Sequence, residues 1–322
     1  MAYLRQRLLH SIFLLLGVTV FSFALCEMAP GDYFDEMRMN PSVSRETVES
    51  IRQQYGVDQP LPVRFGRWVA SALQGEFGYS LSYNSPIGPL VWARARNTLL
   101  LTTMATLLAW AIAVPLAVWT AHRRGKWEDR ACAAGTSALL CVPDILVALG
   151  LMLLAVQTGW FPAGGMVSVG FDDLSFVGKA KDLAWHLVLP VSALVLGILP
   201  ALVRHSRAAV GEAMQAPFVV AARAHGIRPM RLMFRHVLPA AANPLITLFG
   251  LTVGNLLGAS LLIEVVMGWP GLGPLLLEAI LARDLLVVIG VTVFSTFFLV
   301  AGNLLTDSLL FAADPRIRAE AR

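Results

Sequence analysis

Residues 285–310 read LLVVIGVTVFSTFFLVAGNLLTDSLL, a run in which Asp307 is the only charge. A helix rises 1.5 Å per residue and the hydrocarbon core of a bilayer is about 30 Å thick, so about 20 apolar residues are enough to cross it. Lipid offers no partner to an open N–H or C=O, which leaves helix as the conformation for an isolated apolar run. Five further segments meet the same test: Leu8–Cys26, Thr98–His122, Ala131–Gln157, Leu187–Val203 and Val237–Leu262. A lipid-facing barrel would show short alternating segments instead, and none are visible. Pro115, Pro143, Pro200 and Pro244 lie inside or at the edge of these runs and predict kinks. The fold class read from this pattern is all-α, a polytopic membrane protein of six transmembrane helices.

The rest of the chain agrees. Of 322 residues, 57% are hydrophobic and 14% charged; soluble domains carry about 45–50% and about 25%. That argues against a soluble enzyme and against disorder, which needs the opposite bias. A net charge of +4 is too mild to imply a nucleic-acid partner. Cys26, Cys132 and Cys141 lie in or beside apolar runs and suggest neither a disulfide framework nor a metal site. His10, His122, His186, His205, His225 and His236 are scattered near span ends, so no metal cluster is expected. The run from Leu8 to Leu25 is long for a signal peptide, and no small-x-small site follows it; it is expected to be a retained first span.

Basic residues set the orientation. Fifteen of the 25 Lys and Arg residues fall in the N-terminus, the 122–130 loop, the 204–236 loop and the C-terminal tail. The other ten lie in 28–97, 158–186 and at Arg283, and the 28–97 segment also holds seven acids. Both termini and the 204–236 loop are therefore expected in the cytoplasm, with 28–97 outside. The expected organisation is an N-terminal helix (1–27), an extracytoplasmic segment (28–97) and a core membrane domain (98–322).

The outer segment has structure of its own. Ser44–Tyr55 opens with Ser-x-x-Thr and carries Val48, Ile51 and Tyr55 at helical spacing, which predicts a short helix. Asp58-Gln59-Pro60-Leu61-Pro62 reads as a turn, and Phe65, Trp68, Val69 and Leu73 mark a second amphipathic stretch. A cap this small needs packing against the membrane domain or a partner. Trp68, Trp92, Trp160 and Trp185 suit interfacial anchoring.

The 204–236 loop carries Ala216-Pro217-Phe218-Val219-Val220-Ala221-Ala222-Arg223-Ala224-His225-Gly226-Ile227-Arg228-Pro229, and runs on to His236-Val237-Leu238-Pro239. Phe218 to His225 favours helix. Gly226 suits a left-handed position after it, and Pro229 the first turn of the next helix. Met230, Met233, Phe234 and Val237 then recur at helical spacing into the fifth span. The product is a helical knob with a small-residue face, suited to insertion into a groove; a basic helix that merely meets anionic lipid is the alternative.

This loop resembles the EAA loop of ABC-importer permeases, in the branch of dipeptide, oligopeptide and nickel permeases. The pattern there is aromatic-Val-x-small-Ala-Arg-Ala-Lys-Gly, followed by His-x-Leu. Here Phe218 stands where Tyr is usual, Ala221 where Thr is usual and His225 where Lys is usual, while His236-Val237-Leu238 closes the motif. Other stretches resemble the family in order along the chain: Tyr55-Gly56-Val57-Asp58-Gln59-Pro60-Leu61, Gly75-Glu76-Phe77-Gly78-Tyr79-Ser80, Asn97-Thr98-Leu99, Phe161-Pro162-Ala163-Gly164-Gly165 and His186-Leu187-Val188-Leu189-Pro190. Near the end come Pro270-Gly271-Leu272-Gly273, Arg283-Asp284, Asn303-Leu304, Asp307 and Asp314-Pro315-Arg316. Each is weak alone; their order is specific.

The resemblance implies a type I ABC importer in the inner or plasma membrane. Its parts are a second homologous permease, two cytoplasmic ATP-binding subunits that use ATP and Mg, and an extracytoplasmic substrate-binding protein. This chain would form the translocation pathway for dipeptides or oligopeptides, with a nickel or other metal chelate as the alternative cargo. Its ATPase-coupling residues would be Phe218, Ala221, Ala222, Arg223, Ala224, Gly226 and His236. Gly125-Lys126 and Gly178-Lys179 are its only Gly-Lys pairs and neither sits in a G-x-x-x-x-G-K-[ST] frame, so no catalytic role and no cofactor of its own are expected. An ion-driven secondary transporter is the alternative class. It would show inverted repeats, and no convincing repeat is seen.

Within the spans, ionisable residues are functional candidates. Asp144 follows Pro143 near the middle of the third span. Three readings stand open: it faces the pathway and meets a positive group of the cargo, it pairs with a neighbouring helix, or it caps the kink. Glu264 and Asp307 fit interhelical or interfacial roles better, and Asn255 and Asn303 read as interhelical hydrogen-bonders. Gly250, Gly254 and Gly258 form a double G-x-x-x-G on one face of the fifth span. That face fits a subunit interface or gate, or packing within one subunit.

Overall fold

The computed structural model describes residues 2–28, 37–38, 44–54 and 59–314. In chain order its elements are α1 (Ala2–Met28), α2 (Arg45–Gln54), α3 (Leu61–Ala72), β1 (Tyr79–Ser80), β2 (Ser85–Pro86), α4 (Ile87–His122), α5 (Trp127–Leu140) and α6 (Asp144–Thr158). Then follow α7 (Phe176–Ala213), α8 (Pro217–Ala224), α9 (Ala242–Val266), α10 (Leu272–Leu281) and α11 (Leu285–Ala313). Helices α1, α4, α7, α9 and α11 are each long and apolar enough to cross a bilayer. The pair α5 and α6 passes the same test together but is bent by 92° at the break between them.

The polytopic all-helical fold is as the sequence implies. The third span, however, is not one kinked helix. Pro143 has no N–H to give and disfavours helix at the residue before it; it sits at φ −58°, ψ 140°, and a new helix starts at Asp144. The other prolines do not break their helices. Pro115 and Pro200 lie inside continuous α4 and α7, as does Pro190. Pro244 falls in the first turn of α9, where no N–H is required. Helices α4 and α7 also run well beyond the apolar windows that located them, because their ends are polar but still helical.

The described chain forms two compact units: Met1–Leu8 with Leu99–Trp269 and Ala301–Arg322, and Leu9–Thr98 with Pro270–Val300. The first is organised on α7, which packs against α5, α6 and α9. Ala105, Ala109 and Ala113 recur every fourth residue on α4 and are fully buried, a small-residue stripe that admits close helix approach. Leu194, Leu202, Leu256, Ile263 and Trp269 fill the same core. Ser175 caps α7, its Oγ accepting from Gly178 N at 3.2 Å.

In the second unit the small segment after α1 packs as the sequence requires. Ser44 Oγ accepts from Thr47 N at 3.1 Å and opens α2; Tyr55 and the signature residues through Asp58 lie outside the described residues. Aromatic edges tie this unit together: Phe23 meets Phe65 at 5.3 Å and Trp68 at 5.2 Å between ring centres, and Phe77, in the segment after α3, meets Phe294 at 5.0 Å. Trp68 is therefore not a free interfacial anchor; its Nε1 donates to Phe77 O at 3.1 Å. Trp92, Trp160 and Trp185 do stand exposed. Burial and the Glu278 carboxylate, to which it donates, push the Tyr83 phenol up to about 12, so it remains a donor at neutral pH.

Candidate functional site

Between α7 and α9 the chain leaves the long helices to build a knob. Pro217 starts α8 at a position that needs no N–H. Nδ1 of His225 donates to Ala221 O at 2.8 Å, a carbonyl at the end of α8 that also accepts from His225 N at 3.0 Å. That gives the His at this position a structural task. Gly226 follows at φ +76°, a left-handed conformation that an L side chain resists. Pro229 opens a one-turn helix, Pro229–Leu232.

The continuation is not the regular helix that its spacing predicts. Met233–Val237 is a π turn, and a further turn at Ala241 precedes α9. The wider turn divides the apolar set. Met233 and Val237 are buried with Val219 and Leu232 beneath the knob, while Met230 and Phe234 are 71% and 64% exposed. Among the coupling candidates, Phe218, Ala221, Arg223, Ala224 and Gly226 are exposed, and Ala222 and His236 half-buried. Val220, Met230 and Phe234 are exposed as well, and Arg228 and Arg231 lie beside Met230. The sequence pattern missed Met230 and Phe234 as surface residues because a π turn leaves no periodic mark. Beside the knob, Arg124, Arg204 and Arg207 with Glu212 line a cavity of about 410 Å³. Arg207 is held there by Asp129, Nη2 to Oδ2 at 2.7 Å.

The membrane candidates lie elsewhere in the same unit. Asp144 is exposed at the break before α6 and faces Gly197 of α7 and Asn255 of α9. Asn255 and Asn303 are exposed, and neither makes the interhelical hydrogen bond expected of it among the described residues. Glu264 is fully buried, and Asp307 pairs with Arg7 at 3.5 Å. The glycine stripe of α9 is divided. A Cβ on Gly250 would come within 2.7 Å of Thr306 Oγ1, while one on Gly258 would meet nothing within 4 Å. Gly250 thus packs inside the chain, Gly254 is half-buried and Gly258 is open. Gly250→Ala is expected to cost about 1–3 kcal/mol by overpacking. It should lower the melting temperature in detergent, while Gly258→Ala should not. Equal melting temperatures for the two variants would refute this division.

Several of the quoted motifs meet in the second unit. Asn97 Nδ2 donates to Pro270 O at 2.8 Å, and Leu272 N donates to Thr98 Oγ1 at 2.9 Å. Ser80 Oγ and Ser82 N donate to Asp284 Oδ2 at 2.7 and 3.2 Å. Gly78, at φ +101°, passes so close to Leu286 that a Cβ would lie 3.3 Å from its side chain. These motifs are braces: they hold the Gly75–Ser85 region and the start of α4 to α10 and α11.

Comparison with known proteins gives a consistent result. The family of binding-protein-dependent transport system inner membrane components matches residues 113–319, and the N-terminal region model of the same membrane components matches residues 1–102. The oligopeptide transport system permease protein AppB of Bacillus subtilis is 35% identical over 318 residues, covering 98% of this chain and 99% of the relative. A putative peptide permease protein of Brucella ovis is 34% identical over 320 residues, covering 98% of each. Among solved structures, the inward-facing MetNI methionine ABC transporter matches with a TM-score of 0.51 at 19% identity, over 68% of this chain and 96% of that one. This last likeness concerns the fold.

Proposed function

The chain belongs to the family of binding-protein-dependent transport system inner membrane components, and on that premise we propose that it is the permease subunit of an ATP-driven peptide importer. Peptide is preferred over a nickel chelate because the full-length relatives are named as peptide or oligopeptide permeases. The chain carries no phosphate-binding Gly-Lys-[Ser/Thr] frame, so ATP and Mg are assigned to two partner subunits on the cytoplasmic side. A second permease completes the pathway, and an external binding protein delivers the cargo. The excess of Arg and Lys in the 122–130 and 204–236 loops supports the reading that these loops and both termini face the cytoplasm, with the complex held in the inner membrane.

The observation that carries the coupling role is the exposed face of the knob. Phe218, Val220, Met230 and Phe234 are 53%, 50%, 71% and 64% exposed, over a buried base of Val219, Leu232, Met233 and Val237. An apolar patch standing on its own small core fits a partner's groove. A rigid knob joined to α7 and α9 passes motion from a nucleotide-driven partner into both helices. Phe234→Ala tests this. The ring packs little within the chain, so the variant should insert normally. Losing an aromatic anchor costs about 2 kcal/mol of docking, roughly thirtyfold in affinity. ATPase subunits should then wash off the purified complex, and uptake should fall with them. Full retention of the ATPase subunits would refute the assignment.

A further inference from the structure

At the break between α5 and α6, Asp144 opens onto a cavity of about 200 Å³ lined also by Gly197, Ile198, Asn255, Ala259 and Ile263. Gly197 lies near the middle of α7 and Asn255 near the middle of α9, so the cavity sits at mid-length of both helices. Around it the surface is apolar, with Ile145, Leu146, Leu251 and Leu262 all exposed. A carboxylate on such a surface is costly unless water or a cation meets it. Among the described residues neither Asp144 nor Asn255 has a hydrogen-bond or ion-pair partner for its side chain. Of the three sequence readings, pairing with a neighbouring helix finds no support. No capping hydrogen bond forms either: Asp144 is the first residue of α6, where its charge meets the positive helix end but its side chain bonds no backbone N–H.

The fit between Asp144 and Gly197 is close. A Cβ on Gly197 would stand 2.6 Å from Oδ1 and 3.2 Å from Oδ2 of Asp144. Only a residue without a side chain lets the carboxylate lie against the α7 backbone, so Gly197 is the notch that seats it. Asn255, on the facing helix, adds a carbonyl oxygen able to accept a second N–H. A carboxylate and a carboxamide are too few donors for a divalent metal, which takes six or more oxygens as Ca²⁺ or an octahedron as Mg²⁺. They suit an ammonium group, whose three N–H bonds need two or three acceptors.

We propose that Asp144, seated by Gly197 and faced by Asn255, is a mid-membrane binding site for a positively charged group of the peptide cargo as it passes through the permease. The inference rests on the peptide-importer reading above and adds a residue that selects among cargoes by charge.

The experiment uses the complete transporter in vesicles with its own binding protein, and the tripeptides Ala-Lys-Ala and Ala-Glu-Ala as cargo. Uptake of each is measured for the wild type, Asp144→Lys, Asp144→Asn and Asp144→Glu. The binding protein is a separate chain, so its preference cancels when each variant's Lys/Glu uptake ratio is divided by that of the wild type. Asp144→Lys should lower this ratio by about tenfold, Asp144→Asn by about threefold and Asp144→Glu by less than about twofold, in the order of the charge removed. Gly197→Ala, which pushes the carboxylate from its notch, should behave like Asp144→Asn. Should Asp144→Lys fail to insert, Asp144→Asn and Gly197→Ala carry the test. Ratios that stay at the wild-type value, or uptake of both peptides falling in proportion, would overturn the site. A wild-type transporter that carries neither peptide would instead overturn the peptide reading on which it rests.

Discussion

Gly226→Val should abolish peptide uptake by a permease that still inserts, while its ATPase subunits still hydrolyse ATP. Gly226 sits at φ +76°, and a Cβ there would meet no atom within 4 Å. The penalty is therefore purely conformational. A left-handed residue costs an L-amino acid about 1–2 kcal/mol, and β-branched Val is the worst fitted to it. The chain relieves that strain by changing the turn between α8 and Pro229, which pulls on Ile227 where it packs against the knob's core. The buried base of the knob then no longer holds Phe218 on α8 in register with Met230 and Phe234 beyond the turn. Docking that depends on all three loses its geometry, while the long helices are untouched. Gly226→Asn is the control, because Asn tolerates the left-handed region better than any residue but Gly. It should keep most of the uptake. Parallel assays of ATP hydrolysis and peptide uptake decide the matter: normal uptake with Val at 226 would remove the knob from the coupling path.

The features legible in the sequence were those imposed by a single segment's own chemistry. Lipid dictates helix wherever an apolar run is long enough, so α1, α4, α7, α9 and α11 could be placed from composition. Gly226 and Pro229 could be read because backbone constraints act locally. The break at Pro143 was visible only as a kink, since a proline is compatible with either a kinked or a broken helix and does not set the 92° angle. The π turn at Met233–Val237 left no mark, and with it the exposure of Met230 and Phe234 was hidden. The division of the α9 stripe depends on Thr306, which is distant in sequence from Gly250. That Asp144 has no side-chain partner among the described residues depends on which distant side chains fail to reach it. The braces were seen as ordered motifs, yet their physical purpose, one motif bonding another some 170–200 residues away, needed coordinates.

The strongest of those braces leads to the second large effect. Asp284 is 5% exposed and Ser80 is fully buried. One carboxylate oxygen accepts from Ser80 Oγ at 2.7 Å and from Ser82 N at 3.2 Å. The other lies 3.4 Å from Val287 N, at the start of α11, where a carboxylate also meets the positive end of the helix. Asp284→Ala removes all of this and leaves two donors stranded. Each stranded donor costs about 1–3 kcal/mol and the lost cap about 1 kcal/mol, so a loss near 4 kcal/mol is expected. For a protein only about 5–15 kcal/mol stable, that should sharply reduce its level in the membrane. Asp284→Asn keeps an acceptor but turns an amide toward one of the donors, so its loss should be about half as large. Ser80→Ala supplies the decisive comparison. Alone it should cost about 1–2 kcal/mol, because Asp284 keeps Ser82 N and the helix end while Tyr83 N loses the Ser80 Oγ to which it donates at 3.0 Å. Combined with Asp284→Ala it should cost less than the two single losses added together, since the hydroxyl stranded by Asp284→Ala is gone. Thermal unfolding of the solubilised chain measures all four proteins. Strict additivity of the two substitutions would show that the hydroxyl and the carboxylate do not stabilise one another, and the brace would have to be sought elsewhere.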